Sequence, residues 1–303
     1  MIRTKRFFGR PAPLASGRRS IVCLPSCTLS ALAVVLVSCS VAACGPRNEL
    51  VAVDIVHRQQ GDGSAVKIVT AIHVESDGST WQATHAAGAS PSIAPDDRMA
   101  LSICQVLDGG PRGAPQIGFR ALDLGNVSVE GATGDLPVTR HELETGQGVY
   151  FRLEPSVDAL PYTAGQENVV QATGGGEAPG FVARVRAPPP FQVEMIGHVT
   201  AGAGTIPIPR NRDLRINWAP GSEDSEMFLA IVTAAQGLVC RVRDDGEFEV
   251  PRRYLSELTS GQANLVLERY NQEKFDTANA TDGHARSGRA RYAVQRWHRV
   301  QTQ

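Results

Sequence analysis

Residues 1–43 contain no Asp or Glu, and no stretch of the chain carries the short motifs of the common catalytic sites. There is no G-x-S-x-G elbow to present a nucleophilic serine, and no G-x-x-x-x-G-K loop to cradle a phosphate. The seven histidines include no pair three or four residues apart, the spacing that sets two metal ligands on one face. His141-Glu142 opens like a zinc-protease helix, but Thr145 stands where the second histidine belongs. His284, His298 and Asp282 are close in sequence, yet a solvated loop accounts for them. Asp62, Asp77, Asp96, Asp97, Asp244 and Asp245 lie beside or near Gly or Pro, and none follows the D-x-D-x-D-G calcium loop. Asp-Gly is in any case a preferred turn pair. No metal and no cofactor is expected. These absences favour a non-enzymatic role; the alternative is a glycan-directed hydrolase with an unrecognised pair of carboxylates.

The acid-free N-terminus is strongly basic. Arg3, Lys5, Arg6, Arg10, Arg18 and Arg19 precede an uncharged run from Ile21 to Cys44, most apolar between Leu29 and Val37. A basic segment followed by a short apolar one is the pattern of a secretory signal, with the charge retained in the cytoplasm. Setting residues 1–43 aside leaves 24 basic against 31 acidic residues, a net charge of −7. A mildly acidic body has no overall attraction to nucleic acid, and no nucleic-acid partner is expected.

Cysteine is scarce beyond that segment. Four of the six fall within residues 23–44, leaving Cys104 and Cys240. Isolated cysteine is among the most buried residue types, so two inert thiols are expected. The alternative is a disulfide stapling two parts of the chain.

With 42% apolar and 20% charged residues, 30 Gly and 19 Pro, the chain reads as a turn-rich, all-β protein. Val51, Val53 and Ile55 alternate with Ala52, Asp54 and Val56, and residues 66–74 repeat the pattern, predicting two strands with one buried face each. Gly61, Asp62, Gly63 and Ser64 between them predict a hairpin. Further strands are expected at 99–106, 119–123, 127–130, 148–153, 168–172 and 181–186. Pro188, Pro189 and Pro190 cannot donate hydrogen bonds and predict a semi-rigid linker. Beyond it, strands are expected at 191–196, 214–218, 227–233, 238–243, 247–250, 264–270 and 289–297. Asp244-Asp245-Gly246 predicts another hairpin, and Pro251 to Gly261 one short helix. The expected organisation is a signal peptide at 1–43, a tether at 44–49, a first β-domain at 50–187, the linker at 188–190 and a second β-domain at 191–303. Seven short strands in the last part suggest a sandwich.

Val41-Ala42-Ala43-Cys44 resembles the lipobox of bacterial lipoproteins, in which the cysteine takes a diacylglycerol and becomes the first mature residue. Leu36-Val37-Ser38-Cys39 resembles the same motif, so Cys39 is the alternative to Cys44. Gly45 after the cysteine resembles lipoproteins sent on to the outer membrane. The chain as a whole resembles a family of uncharacterised Gram-negative envelope lipoproteins through LDLGNVSVEG at 122–131, YTAGQENVVQATGGG at 162–176, PGFVARVRAP at 179–188, LRINWAPG at 214–221 and CRVRDDGEFEVP at 240–251. The resemblance implies tandem β-sandwich-like domains on a lipid anchor, with the membrane as one partner and an envelope protein or glycan as another. Residues 214–220 also resemble the tryptophan strand of immunoglobulin-like fibronectin type III domains. An uncleaved anchor and ordinary secretion remain open as alternatives. Last, Arg286, Arg289, Arg291, Arg296 and Arg299 surround Tyr292 and Trp297. Such a stripe could bind a polyanion, or it could be a final strand kept soluble by outward charge, with Tyr292 and Val294 inward.

Overall fold

Alternating apolar residues separated by glycine turns do produce strands here, and the fold is all-β. The computed structural model describes residues 48–61, 63–76, 99–108, 119–131, 134–142, 148–154, 162–176, 178–202, 204–221, 226–277 and 287–303. The chain divides into two units, Met1–Ala43 and Cys44–Gln303. All described residues belong to the second; Cys39, Cys44, Asp62, Asp282, His284 and Arg286 lie outside them.

Strand β1 (Asn48–Gln60) turns into β2 (Ala65–Ser76) as an antiparallel hairpin. Gly63 takes a φ of 88° there, a conformation that an L side chain resists. Its N–H reaches Gln60 O at 2.9 Å, and Gln60 N–H reaches Ser64 O at 2.9 Å. On its other edge β1 runs parallel to β18 (Ser287–Thr302), from Val51 opposite Gly288 to Gln60 opposite Trp297. β17 (Gly261–Asp276) lies antiparallel to β18, and β14 (Glu226–Thr233), β15 (Gln236–Arg243) and β3 (Ile103–Asp108) follow in turn. Beyond β2 come β7 (Gly148–Glu154), β6 (Gly134–Glu142), β5 (Val127–Gly131), β8 (Glu167–Ala172) and finally β9 (Phe181–Arg186). The short strands β4 (Phe119–Ala121) and β12 (Ile206–Ile208) attach to β2 and β18. A second sheet has the order β11 (Val199–Thr200), β10 (Val193–Ile196), β13 (Leu214–Trp218) and β16 (Glu247–Val250). Helix α1 is one turn, Arg252–Leu255, shorter than the predicted helix.

The expected division at the proline run is not a division between sheets. β1 and β3, from before it, pair with β18 and β15, from after it. Residues 50–187 and 191–303 therefore share one hydrogen-bonded path and one core. That core joins Val53, Ile55 and Val69 to Leu229, Leu265 and Tyr292, and to Trp218 of the second sheet. Pro189 and Pro190 are held as well: their carbonyls accept from Arg269 Nη1 at 3.3 and 3.0 Å. Local periodicity carries no information about such long-range partners, so from sequence alone the proline run reads as a boundary.

Two further expectations are corrected. Residues 51–56 are buried without alternation, because β1 is a central strand with both faces covered. Asp244-Asp245-Gly246 is not a hairpin: β15 pairs with β14 and β3, whereas β16 pairs with β13. The tripeptide is a corner that carries the chain from one sheet to the other, with Gly246 at φ 100°.

Candidate functional site

β9 is the last strand of its path, and its sequence sorts cleanly by face. Phe181, Ala183 and Val185 are buried, while Val182, Arg184 and Arg186 are exposed. Ala187 N–H bonds to Gln166 O at 2.9 Å, which fixes the phase of the β8–β9 ladder. In an antiparallel ladder backbone groups alternate in direction, so Phe181, Ala183 and Val185 address β8. The N–H and C=O groups of Val182, Arg184 and Arg186 point away from it, and among the described residues no strand pairs with that edge. Asn271 Nδ2 donates to Arg186 O at 3.0 Å and occupies one end of the edge.

A groove of about 440 Å³ runs beside this edge. Its β9 side is Val182, Arg184, Val185 and Arg186, with Glu167 from β8; its far wall is Glu273, Lys274 and Phe275 of β17. Phe275 is seated against Phe181, their ring centroids 5.1 Å apart. An added Cβ at Gly288 would overlap the Phe275 ring, so glycine there lets the wall close down on β18. Arg184 Nη1 donates to Glu167 Oε1 at 2.9 Å, a pair exposed on both sides. Sequence alternation marks residues 181–186 as a strand, but nothing local marks it as an edge with a groove beside it.

A second polar cluster lies inside. The His57 ring stacks on Tyr162 at 4.9 Å, Lys67 Nζ sits 5.2 Å from the centre of the Tyr292 ring, and Arg296 Nε donates to Phe191 O at 2.6 Å. Burial, reinforced by the nearby Lys67 and Arg296 charges, pushes His57 down to about 4, and burial pushes Lys67 down to about 8. Burial also pushes Tyr162 up to about 12. Among the described residues, Tyr292 OH, Arg296 Nη1 and His57 Nδ1 have no hydrogen-bond partner, and they are shielded from solvent. This interior is electropositive, but its atoms are closed to a ligand.

The C-terminal arginines do not share an exposed face. Arg291 is 1% exposed, donates from Nη2 to Gln272 Oε1 at 2.8 Å and lies over Tyr270. Arg296 is buried on the opposite face of β18, the side of Tyr292 and Val294. Arg289 is half-buried and Arg299 exposed. Trp297 is half-buried, bonded through Nε1 to Gln295 Oε1 at 2.9 Å and covered by Arg58. His141 and Glu142 are exposed on β6, with Glu142 held by Arg140. His298 is buried, and burial lowers its pKa. Asp244, expected at a hairpin tip, is a buried ion-pair partner of Arg269. Among the described residues no group of three His, Cys, Asp or Glu could hold a metal ion, and no helix is long and apolar enough to cross a membrane.

The cysteine expectation is overturned. Cys104 and Cys240 stand directly opposite on β3 and β15, Cα atoms 4.0 Å apart, and are joined as a disulfide across 136 residues. The pairing that places them together is a long-range strand register, invisible in their spacing. No family model matches the chain, and no curated protein matches it.

Proposed function

We propose that the chain is an exported envelope lipoprotein, anchored through Cys44, whose β body binds or supports another envelope component without turning it over. The observation that carries this reading is the Cys104–Cys240 disulfide. Disulfides persist in oxidising compartments outside the cytoplasm, which agrees with the basic and apolar N-terminal segment and its resemblance to a lipobox. A signal peptide at 1–43 and an outer-membrane address belong to the same reading. The test is fatty-acid labelling of the native chain beside Cys44→Ser and Cys39→Ser. Label lost with Cys44→Ser alone supports the anchor as stated; loss with Cys39→Ser alone moves it by five residues. An unlabelled native chain overturns it.

A second reading, glycan-directed hydrolysis, has one observation in its favour: Glu167 and Glu273 line the same groove. Against it, Glu167 is engaged by Arg184. Turnover of a glycan substrate that disappears in Glu273→Gln would establish this reading in place of the first.

A further inference from the structure

We propose that β9 accepts an extended, acidic segment of a partner protein as an added strand, with the groove receiving that segment's side chains. This rests on the reading of the β body as a binding module. Strand addition needs an unpaired edge, room alongside it and side-chain contacts that choose the guest. The edge is the outward N–H and C=O of Val182 and Arg184; at Arg186 the carbonyl is already taken by Asn271, which sets one end of the addition. The room is the groove, which lies along those same residues and is bounded by Glu273, Lys274 and Phe275.

Charge selects the occupant. Exposed edges are commonly guarded by charged side chains, and Arg184 and Arg186 guard this one against a second copy of the chain. An antiparallel β9–β9 pair centred on Arg184 would set that residue against itself, and like charges directly opposite are destabilising. The same charges favour a carboxylate-bearing strand. Arg184, Arg186 and Lys274 outnumber Glu167 and Glu273 along the groove and make it net positive, and the exposed Arg184–Glu167 pair is weak enough to exchange for a guest carboxylate. Val182, 49% exposed, adds an apolar contact two residues from Arg184. The fitting guest therefore carries an apolar residue opposite Val182 and acids at the next same-face positions, opposite Arg184 and Arg186.

The probe is a capped, fluorescein-labelled decapeptide, Thr-Glu-Thr-Glu-Thr-Val-Thr-Glu-Thr-Glu, which sets two same-face acids beside its valine in either strand direction, titrated against the purified full chain by anisotropy. Its counterpart with Lys in place of Glu is expected to bind at least about tenfold more weakly. Arg184→Pro removes an outward N–H without touching the β8 ladder, a substitution that edge strands tolerate. It is expected to weaken binding roughly two- to tenfold. Should Arg184→Pro unfold the chain, N-methylation of the peptide decides instead: methyls on one alternate set abolish binding, and methyls on the other leave it intact. No saturable binding up to about 1 mM, equal binding of the Lys peptide, or indifference to both methyl sets would overturn the proposal. So would self-association of the chain that Arg184→Pro abolishes. None of these outcomes depends on fatty-acid labelling, so failure of the anchor and failure of strand addition are read separately.

Discussion

Arg269 donates from Nε and Nη2 to the two carboxylate oxygens of Asp244, at 2.6 and 2.8 Å. Their side chains are 1% and 0% exposed. The guanidinium also reaches Ala219 O at 2.7 Å and the carbonyls of Pro189 and Pro190, and Asp244 accepts from Trp218 Nε1 at 2.9 Å. Two charges withdrawn from water persist only when their remaining donors and lone pairs are used, and here they are. One ion pair thereby fixes the proline run, the tryptophan of β13, the corner between the sheets and β17.

Removing one partner leaves the other charged and desolvated. Asp244→Ala is expected to destabilise the chain by about 3–5 kcal/mol, read from the urea midpoint. Arg269→Lys should recover little of the Arg269→Ala loss, since a point charge cannot reproduce a planar fork with several acceptors. A loss below about 1 kcal/mol for Asp244→Ala would mean that water reaches the site and that the clamp is not structural.

What the sequence discloses and what it hides separate along this pair. The strand at 214–218 and the turn propensity of Asp244-Asp245-Gly246 are local and legible, and so is the alternation of Phe181 to Arg186. That Asp244 meets Arg269, that β1 runs beside β18 and that Cys104 faces Cys240 are pairings across 25 to 237 residues. No periodicity reports on those. Pro188–Pro190 looks like a linker in sequence for the same reason: proline's missing N–H is visible there, but the donor that claims its carbonyl is not. The groove depends on β9 being last in its path, a property of the whole topology.

The disulfide supplies the second prediction. Cys104 is the buried side chain of β3, between the exposed Ile103 and Gln105. Val106 and Leu107 pack half-buried against the core, but β3 ends its path and among the described residues ladders to β15 alone. The Cys104→Ala, Cys240→Ala double variant is expected to lose about 2–5 kcal/mol. Amide exchange should accelerate first in residues 103–108 and 237–241. Uniform exchange across the sheet on reduction would contradict this local role. Maleimide labelling of the unfolded, unreduced chain should leave both cysteines unmodified.

His57 gives a pH dependence with a definite sign. Burial, then the charges of Lys67 and Arg296, lower it from 6.5 to about 4 in the folded chain. Between those values the unfolded state binds the extra proton, so this contribution is present above pH 6.5 and is lost as pH falls toward 4. His57→Gln should flatten the dependence of the urea midpoint on pH within that window. Carboxylates titrate there too, so the readout is the difference between the two slopes. Parallel slopes would mean that His57 protonates freely in the folded chain.

Tyr150 makes the last case, because its hydroxyl both donates and accepts. It donates a hydrogen bond to Asp123 Oδ1 at 2.5 Å and accepts one from the N–H of Leu124, a fully buried residue, at 3.1 Å. Burial and the bond to Asp123 raise the phenol to about 12, while that bond and the N–H of Gly125 hold the Asp123 carboxyl below its usual value. Tyr150→Phe preserves the packing but leaves the Leu124 N–H buried without an acceptor. The expected cost is about 1–3 kcal/mol, more than the removal of an exposed hydrogen bond. The lowered Asp123 carboxyl stabilises the fold above its unfolded pKa and loses that contribution as pH falls through its folded value. Tyr150→Phe should therefore also reduce the acid sensitivity of the wild-type chain. A variant equally stable at neutral pH, with unchanged acid sensitivity, would mean that water replaces the hydroxyl at no cost and that the corner at residues 123–125 is held by its backbone alone.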